Sequence, residues 1–144
     1  MTDVDRIGAW ARLLRVHAAV LPRLERALAP TGLSLTWYDV LLVLNAAPGR
    51  RLRMTELGAH AVVSRERVSR VVTELERAGL VTRAPNPDDG RSSYASITTE
   101  GRRQLRRAAP VYLAAVEEHY SRHLTDHQVV VLNKALGAVL AAEE

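Results

Sequence analysis

The sequence predicts a mainly α-helical fold interrupted by one small β-hairpin. Three observations predict it. Leu, Val and Ala must build the core, because the chain has no Phe and only 4% aromatic residues; such a composition suits helices packed on helices. Apolar residues recur at steps of three or four through most of the chain, the period of a helix with one buried stripe. That period is lost once, between Gly79 and Ile97, where two short runs flank a polar, turn-rich tip.

The first helix is expected over 4–29. Ile7, Ala11, Leu14, Ala18, Leu21, Leu24 and Leu28 share its stripe, and Ala29-Pro30-Thr31-Gly32 is a stop signal. Pro22 removes a backbone donor inside it and is expected to bend or interrupt it. A second helix, from about Thr36 to Asn45, turns Trp37, Val40, Leu41 and Leu44 inward, and Ala47-Pro48-Gly49-Arg50-Arg51 follows as a turn. A short third helix from about Met54 to His60 is anchored by Leu57. The fourth runs from Ser64 to Ala78. Val68, Val71, Val72 and Leu75 form its apolar stripe; Glu66, Arg70, Thr73 and Arg77 lie opposite, flanked by Arg67. Ser64 is expected to cap it by accepting a free backbone N–H, and Gly79 closes it.

A strand then starts at Val81-Thr82-Arg83, a polar tip spans 85–92, and Ser93 to Ile97 returns. Thr98 is expected to cap a long fifth helix through Leu105, Ala109, Tyr112, Val116 and His119. Leu124-Thr125-Asp126 ends it. Thr125 and Gln128 have capping-box spacing and open a last helix through Val129, Leu132, Leu136, Val139 and Leu140. The terminal helices carry apolar stripes that need a surface to pack on, and the same helices of a second copy are the simplest one.

The net charge is +4, and arginines concentrate at 50–53, 65–70 and 102–107, which favours an anionic partner. The absence of cysteine excludes disulfides, thiolate metal sites and thiol redox sensing. No signal-like segment and no run long enough to span a bilayer is present. The cytoplasm is therefore the expected location, with no membrane partner. No nucleophile elbow, phosphate-binding glycine loop or paired-acid arrangement is found, so neither catalysis nor a cofactor is expected.

The fourth helix carries the chemistry. Arg65, Arg67 and Arg70 can donate to guanine O6 and N7 or to phosphates, and Ser64 and Ser69 are short donors for close phosphate approach. The competing reading is a solvated face laced with ion pairs, since Arg70 has helical spacing to both Glu66 and Glu74. At the hairpin tip, Arg91 is the candidate for insertion into a narrow minor groove. Asp89 would repel phosphate and is expected to brace a nearby arginine, Arg91 or Arg83. Arg102, Arg103, Arg106 and Arg107 read equally well as phosphate contacts or as a solvated helix face. His119, His123 and His127 are four apart, which on one helix would align three imidazoles. The break at Leu124-Thr125-Asp126 spoils that register, so no metal site is expected. Trp10, His17, Trp37 and Tyr38 are the scarce polar-aromatic groups near the expected junction of the terminal helices and the middle lobe. Plain core packing is one reading of these groups.

An ordered set of fragments carries a family resemblance: Gly32-Leu33-Ser34-Leu35-Thr36, Leu57-Gly58, Val63-Ser64-Arg65, Arg70-Val71-Val72, Leu75 to Val81, Asp89-Gly90-Arg91 and Ile97 to Gly101. Over nearly its whole length the chain resembles the MarR-type (multiple antibiotic resistance regulator) winged helix-turn-helix regulators. The resemblance implies a homodimer whose recognition helices enter the major groove of double-stranded, pseudo-palindromic operator DNA while the wings reach the flanking minor groove. It also implies an effector pocket near the lobe junction, for which Trp10, His17, Trp37 and Tyr38 are the candidate ligand-binding groups. Three departures stand out. Gly90 replaces the first Arg of the usual Asp-Arg-Arg wing, Arg53 stands where Ser or Thr often caps, and Glu66-Arg67 makes the recognition helix unusually charged.

The expected organisation is one domain over 1–144, with dimerisation helices at 1–30 and 99–144 and a winged helix-turn-helix lobe at 36–98. The expected function is a homodimeric, sequence-specific DNA-binding transcriptional regulator, a repressor released by a small aromatic or lipophilic effector. The alternative is a ligand- or metal-binding sensor whose DNA binding is weak or secondary.

Overall fold

Six α-helices and one three-stranded antiparallel sheet account for most of the computed structural model, which describes all residues, Met1–Glu144. In chain order they are α1 (Asp3–Leu28), α2 (Leu35–Ala46), β1 (Arg51–Arg53), α3 (Met54–His60), α4 (Arg65–Arg77), β2 (Val81–Asn86), β3 (Asp89–Ile97), α5 (Thr99–His119) and α6 (Asp126–Glu143). The chain gathers into two compact units. One comprises Met1–Leu24 and Tyr112–Glu144, the other Glu25–Val111.

The second unit holds α2, α3, α4 and the three-stranded sheet. Its core is built on Leu28, Leu41, Leu44, Leu57, Val72 and Leu75, all fully buried. α2 begins where the Ser34 hydroxyl oxygen accepts the Trp37 N–H at 3.1 Å, a cap that the expected start at Thr36 overlooks. α4 ends in a Schellman closure: Leu80 N–H reaches the Leu75 carbonyl and Gly79 N–H reaches that of Glu76. Gly79 takes φ +78° there, a left-handed conformation that a side chain would strain. Thr98 then joins two elements. Its hydroxyl donates to the Gly79 carbonyl at 2.8 Å and accepts the Gly101 N–H at 2.9 Å, capping α5.

The sheet order is β1-β3-β2. β1 is a strand where the sequence predicts only the end of a turn; Leu52 pairs with Ala95, and the Arg51 guanidinium lies 4.4 Å from the centre of the Tyr94 ring. The hairpin strands also run further than expected. They reach Asn86 and Asp89 after an irregularity at Pro85/Asn86, leaving a tip of two residues.

α1 continues through Pro22 as one helix, so of the expected bend or interruption the interruption is absent. α6 opens on the capping box of Thr125 and Gln128, each side chain accepting the other's backbone N–H. None of its residues is buried, and Val130, Val139 and Leu140 are more than 60% exposed. No single helix is long and apolar enough to cross a membrane.

Candidate nucleic-acid interface

α4 is two-faced. Val68, Val71, Val72 and Leu75 pack into the core. The same 3.6-residue period puts Ser64, Arg65, Arg67, Ser69 and Arg70 in solvent. Ser64 occupies the N-cap position, but its hydroxyl makes no capping bond, contrary to expectation. Its carbonyl instead accepts the N–H groups of Arg67 and Val68. The hydroxyl is left free to face an anion at the start of the helix, where unpaired N–H groups favour negative charge.

Arg70 makes no ion pair with Glu66 or Glu74, so the lacing of the competing reading is absent. Glu74 is engaged elsewhere: its Oε2 accepts the indole N–H of Trp37 from α2 at 3.1 Å. A second bond ties α2 to the turn before α4, where the Asp39 carboxylate accepts the Val62 N–H at 2.8 Å. Burial pushes the Asp39 pKa up, and that hydrogen bond only partly opposes the shift.

The wing is tied to α4 by Arg83. Its Nη2 donates to the Ser69 carbonyl at 3.2 Å and to the Thr73 hydroxyl at 3.4 Å, while its buried Nε has no partner. A cleft of about 390 Å³ opens alongside, lined by Met54, Thr55, Gly58, Arg65, Val68, Ser69, Arg83 and Ser93. At the tip, Asn86 is only 4% exposed. Its amide donates to the Ser92 hydroxyl and its carbonyl oxygen accepts the Asp88 N–H.

Asp89 braces the tip differently from expectation. Its carboxylate accepts the backbone N–H of Arg91 at 3.0 Å rather than a guanidinium. A short acceptor reaches its own backbone two residues on more easily than a flexible side chain. The Arg91 side chain is exposed.

The remaining candidates are dispersed. Arg103 pairs with Glu100, which holds that carboxyl at a pKa of about 2 with help from Gln104. Arg107 donates to the Thr31 carbonyl and to Gln104, and Arg102 to Thr99. His119 ends α5, His123 lies in a 3₁₀ turn and His127 in α6, and no group of three or more metal-ligating side chains is assembled. Of the four ligand candidates, Trp10 and His17 are exposed on α1 in the first unit. In the second, Tyr38 is buried and Trp37 is held by Glu74. Asp39 and Asn86 are positioning groups that sequence reasoning missed, and Trp37 and Arg83, named there in other roles, hold Glu74 and the Ser69 carbonyl instead. Only Asn86, a turn-former beside Pro87, carried a local signal.

Residues 31–92 match the model of the MarR family. The HTH-type transcriptional repressor Rv2887 of Mycobacterium tuberculosis is 39% identical over 103 residues, covering 72% of this chain and 73% of the relative. Sco3205, a MarR family transcriptional regulator from Streptomyces coelicolor solved in complex with DNA, superposes with a TM-score of 0.85 at 33% identity, covering 96% of this chain and 88% of that one. CouR from Rhodococcus jostii RHA1, solved bound to p-coumaroyl-CoA, gives a TM-score of 0.77 at 31% identity over 89% and 88% of the two chains.

Proposed function

The chain belongs to the MarR family of transcriptional regulators, and from that premise we propose that it is a homodimeric repressor whose α4 reads operator DNA and whose release is triggered by a small aromatic effector. The observation that carries DNA reading is the division of α4 into a packed valine and leucine face and a solvated arginine face free of ion pairs. Arg65, Arg67 and Arg70 present guanidinium forks, which match guanine O6 and N7 in the major groove. Arg91 projects from a tip stiffened by Asp89 and Asn86, suited to a narrow minor groove. Homodimerisation is supported by the apolar surface of α1, α5 and α6, with Ile7, Trp10, Leu113 and Val130 all more than half exposed. Repression is supported by the similarity to Rv2887, and an aromatic effector by the similarity to CouR.

The test is selection of duplexes from a randomised pool by the purified full-length protein, followed by binding at several salt concentrations. The expected result is a pseudo-palindromic preference with half-site centres ~34–36 Å apart, about one helical turn, and affinity that falls as salt rises. Binding without sequence preference, or no binding, would overturn the reading.

A further inference from the structure

We infer that Trp37 is a positioning residue for DNA recognition, which acts by holding the Glu74 carboxylate away from Arg70. The inference rests on the reading of α4 as the DNA-contacting helix. Arg70 and Glu74 are four residues apart on α4, the spacing at which opposite charges pair on a helix surface. Both are exposed. Yet they form no ion pair, and the Glu74 Oε2 sits 3.1 Å from the indole nitrogen of Trp37.

Trp37 is in the first turn of α2, and the Ser34 cap fixes its backbone N–H. The residue is half-buried. The indole N–H donates only, and Glu74 is the acceptor it meets. A carboxylate that accepts it takes one orientation out of many and is directed toward α2 rather than along α4. The consequence falls on Arg70. A guanidinium already paired to an intrahelical carboxylate must give up that pair before it can present its fork to a base edge. With Glu74 held by Trp37, and with Glu66 on the preceding turn also unpaired, Arg70 gives up no ion pair to Glu74 when it reaches a base.

The test is a set of affinities for a duplex selected by the wild-type protein, measured on full-length variants of checked melting temperature. Trp37→Phe keeps an aromatic ring and removes the donor. It should weaken specific binding about two- to fivefold, the scale of one exposed ion pair. Glu74→Gln placed on top of Trp37→Phe should restore wild-type affinity, because a neutral amide no longer captures Arg70. In an Arg70→Ala background, Trp37→Phe should have no further effect, since the coupling runs through Arg70. A purely structural role for the indole would give the same loss in all three backgrounds, and that result would overturn the inference. So would an unchanged affinity for Trp37→Phe alone. Failure of the wild-type protein to select any sequence is a separate outcome, which would overturn the DNA-reading role of α4 beneath it.

Discussion

Side chains at this interface work mainly by holding backbone. Asp89 accepts an N–H two residues along the chain, Asn86 closes the wing tip, and Arg83 grips the Ser69 carbonyl of α4. The first was legible in principle, because aspartate in a turn commonly bonds its own backbone two residues on. The bond from Trp37 to Glu74 was not: the two are 37 residues apart, and only the packing of α2 beside α4 brings them together. Gly101 gives a sharp test at this scale. A Cβ there would collide with the Leu80 carbonyl and press on Ile97. Backbone cannot yield as a flexible side chain does, so Gly101→Ala should destabilise the protein by about 1–3 kcal/mol. Chemical denaturation should show a lower midpoint with unchanged slope. A wild-type midpoint would mean that α5 can shift away from the strand end without cost.

Helices were legible as elements because the 3.6-residue period repeats over many turns, and α3, α4 and α6 lie within a residue or two of expectation. β1 was hidden because Arg51-Leu52-Arg53 is too short to establish alternation, and it becomes a strand only by pairing with β3. The bond from Asp39 to the Val62 N–H bears on the pose of α4 and predicts a ranking. Asp39→Asn keeps an acceptor and removes a partly buried charge, whereas Asp39→Ala removes both. At neutral pH the Asp39→Asn variant should therefore melt highest, wild type next and Asp39→Ala lowest, with the loss to alanine about 1 kcal/mol. The folded-state pKa of Asp39 lies above its ordinary 3.8. The folded protein thus holds this proton more tightly, and the associated stability is full below 3.8 and lost as pH rises through the folded value. The advantage of asparagine should accordingly vanish in acid. Glu100 has the opposite sign: its contribution is full above 4.5 and is lost as pH falls toward about 2. An Asp39→Ala protein that melts like wild type across this range would remove α2 as a brace of the turn before α4.

At the scale of the whole molecule, the apolar stripes of the terminal helices were legible in the sequence, and Ile7, Leu14, Val129, Leu136, Val139 and Leu140 among them lie in solvent in the single chain. Deleting Asp126–Glu144 should leave a protein that aggregates or melts early, and full-length protein should scatter light as a dimer. A well-folded full-length monomer in dilute solution would contradict the proposed assembly. Less was legible of any ligand site, because the four candidate groups are distant in sequence and fall in both units.

The claim that α4 and the wing read DNA in distinct ways is tested most directly by one titration. Fluorescence anisotropy of wild type, Arg70→Ala and Arg91→Ala is measured against the selected operator and a version whose flanks are exchanged for G·C-rich sequence, at several salt concentrations. Arg70→Ala should cost ~1–3 kcal/mol on both duplexes and relax preference at one position per half-site. Arg91→Ala should weaken binding mainly to the duplex with A·T-rich flanks, where a narrow groove strengthens the contact. Both variants should keep the wild-type melting temperature, since both side chains are exposed. Wild-type affinity in both correctly folded variants would contradict the account.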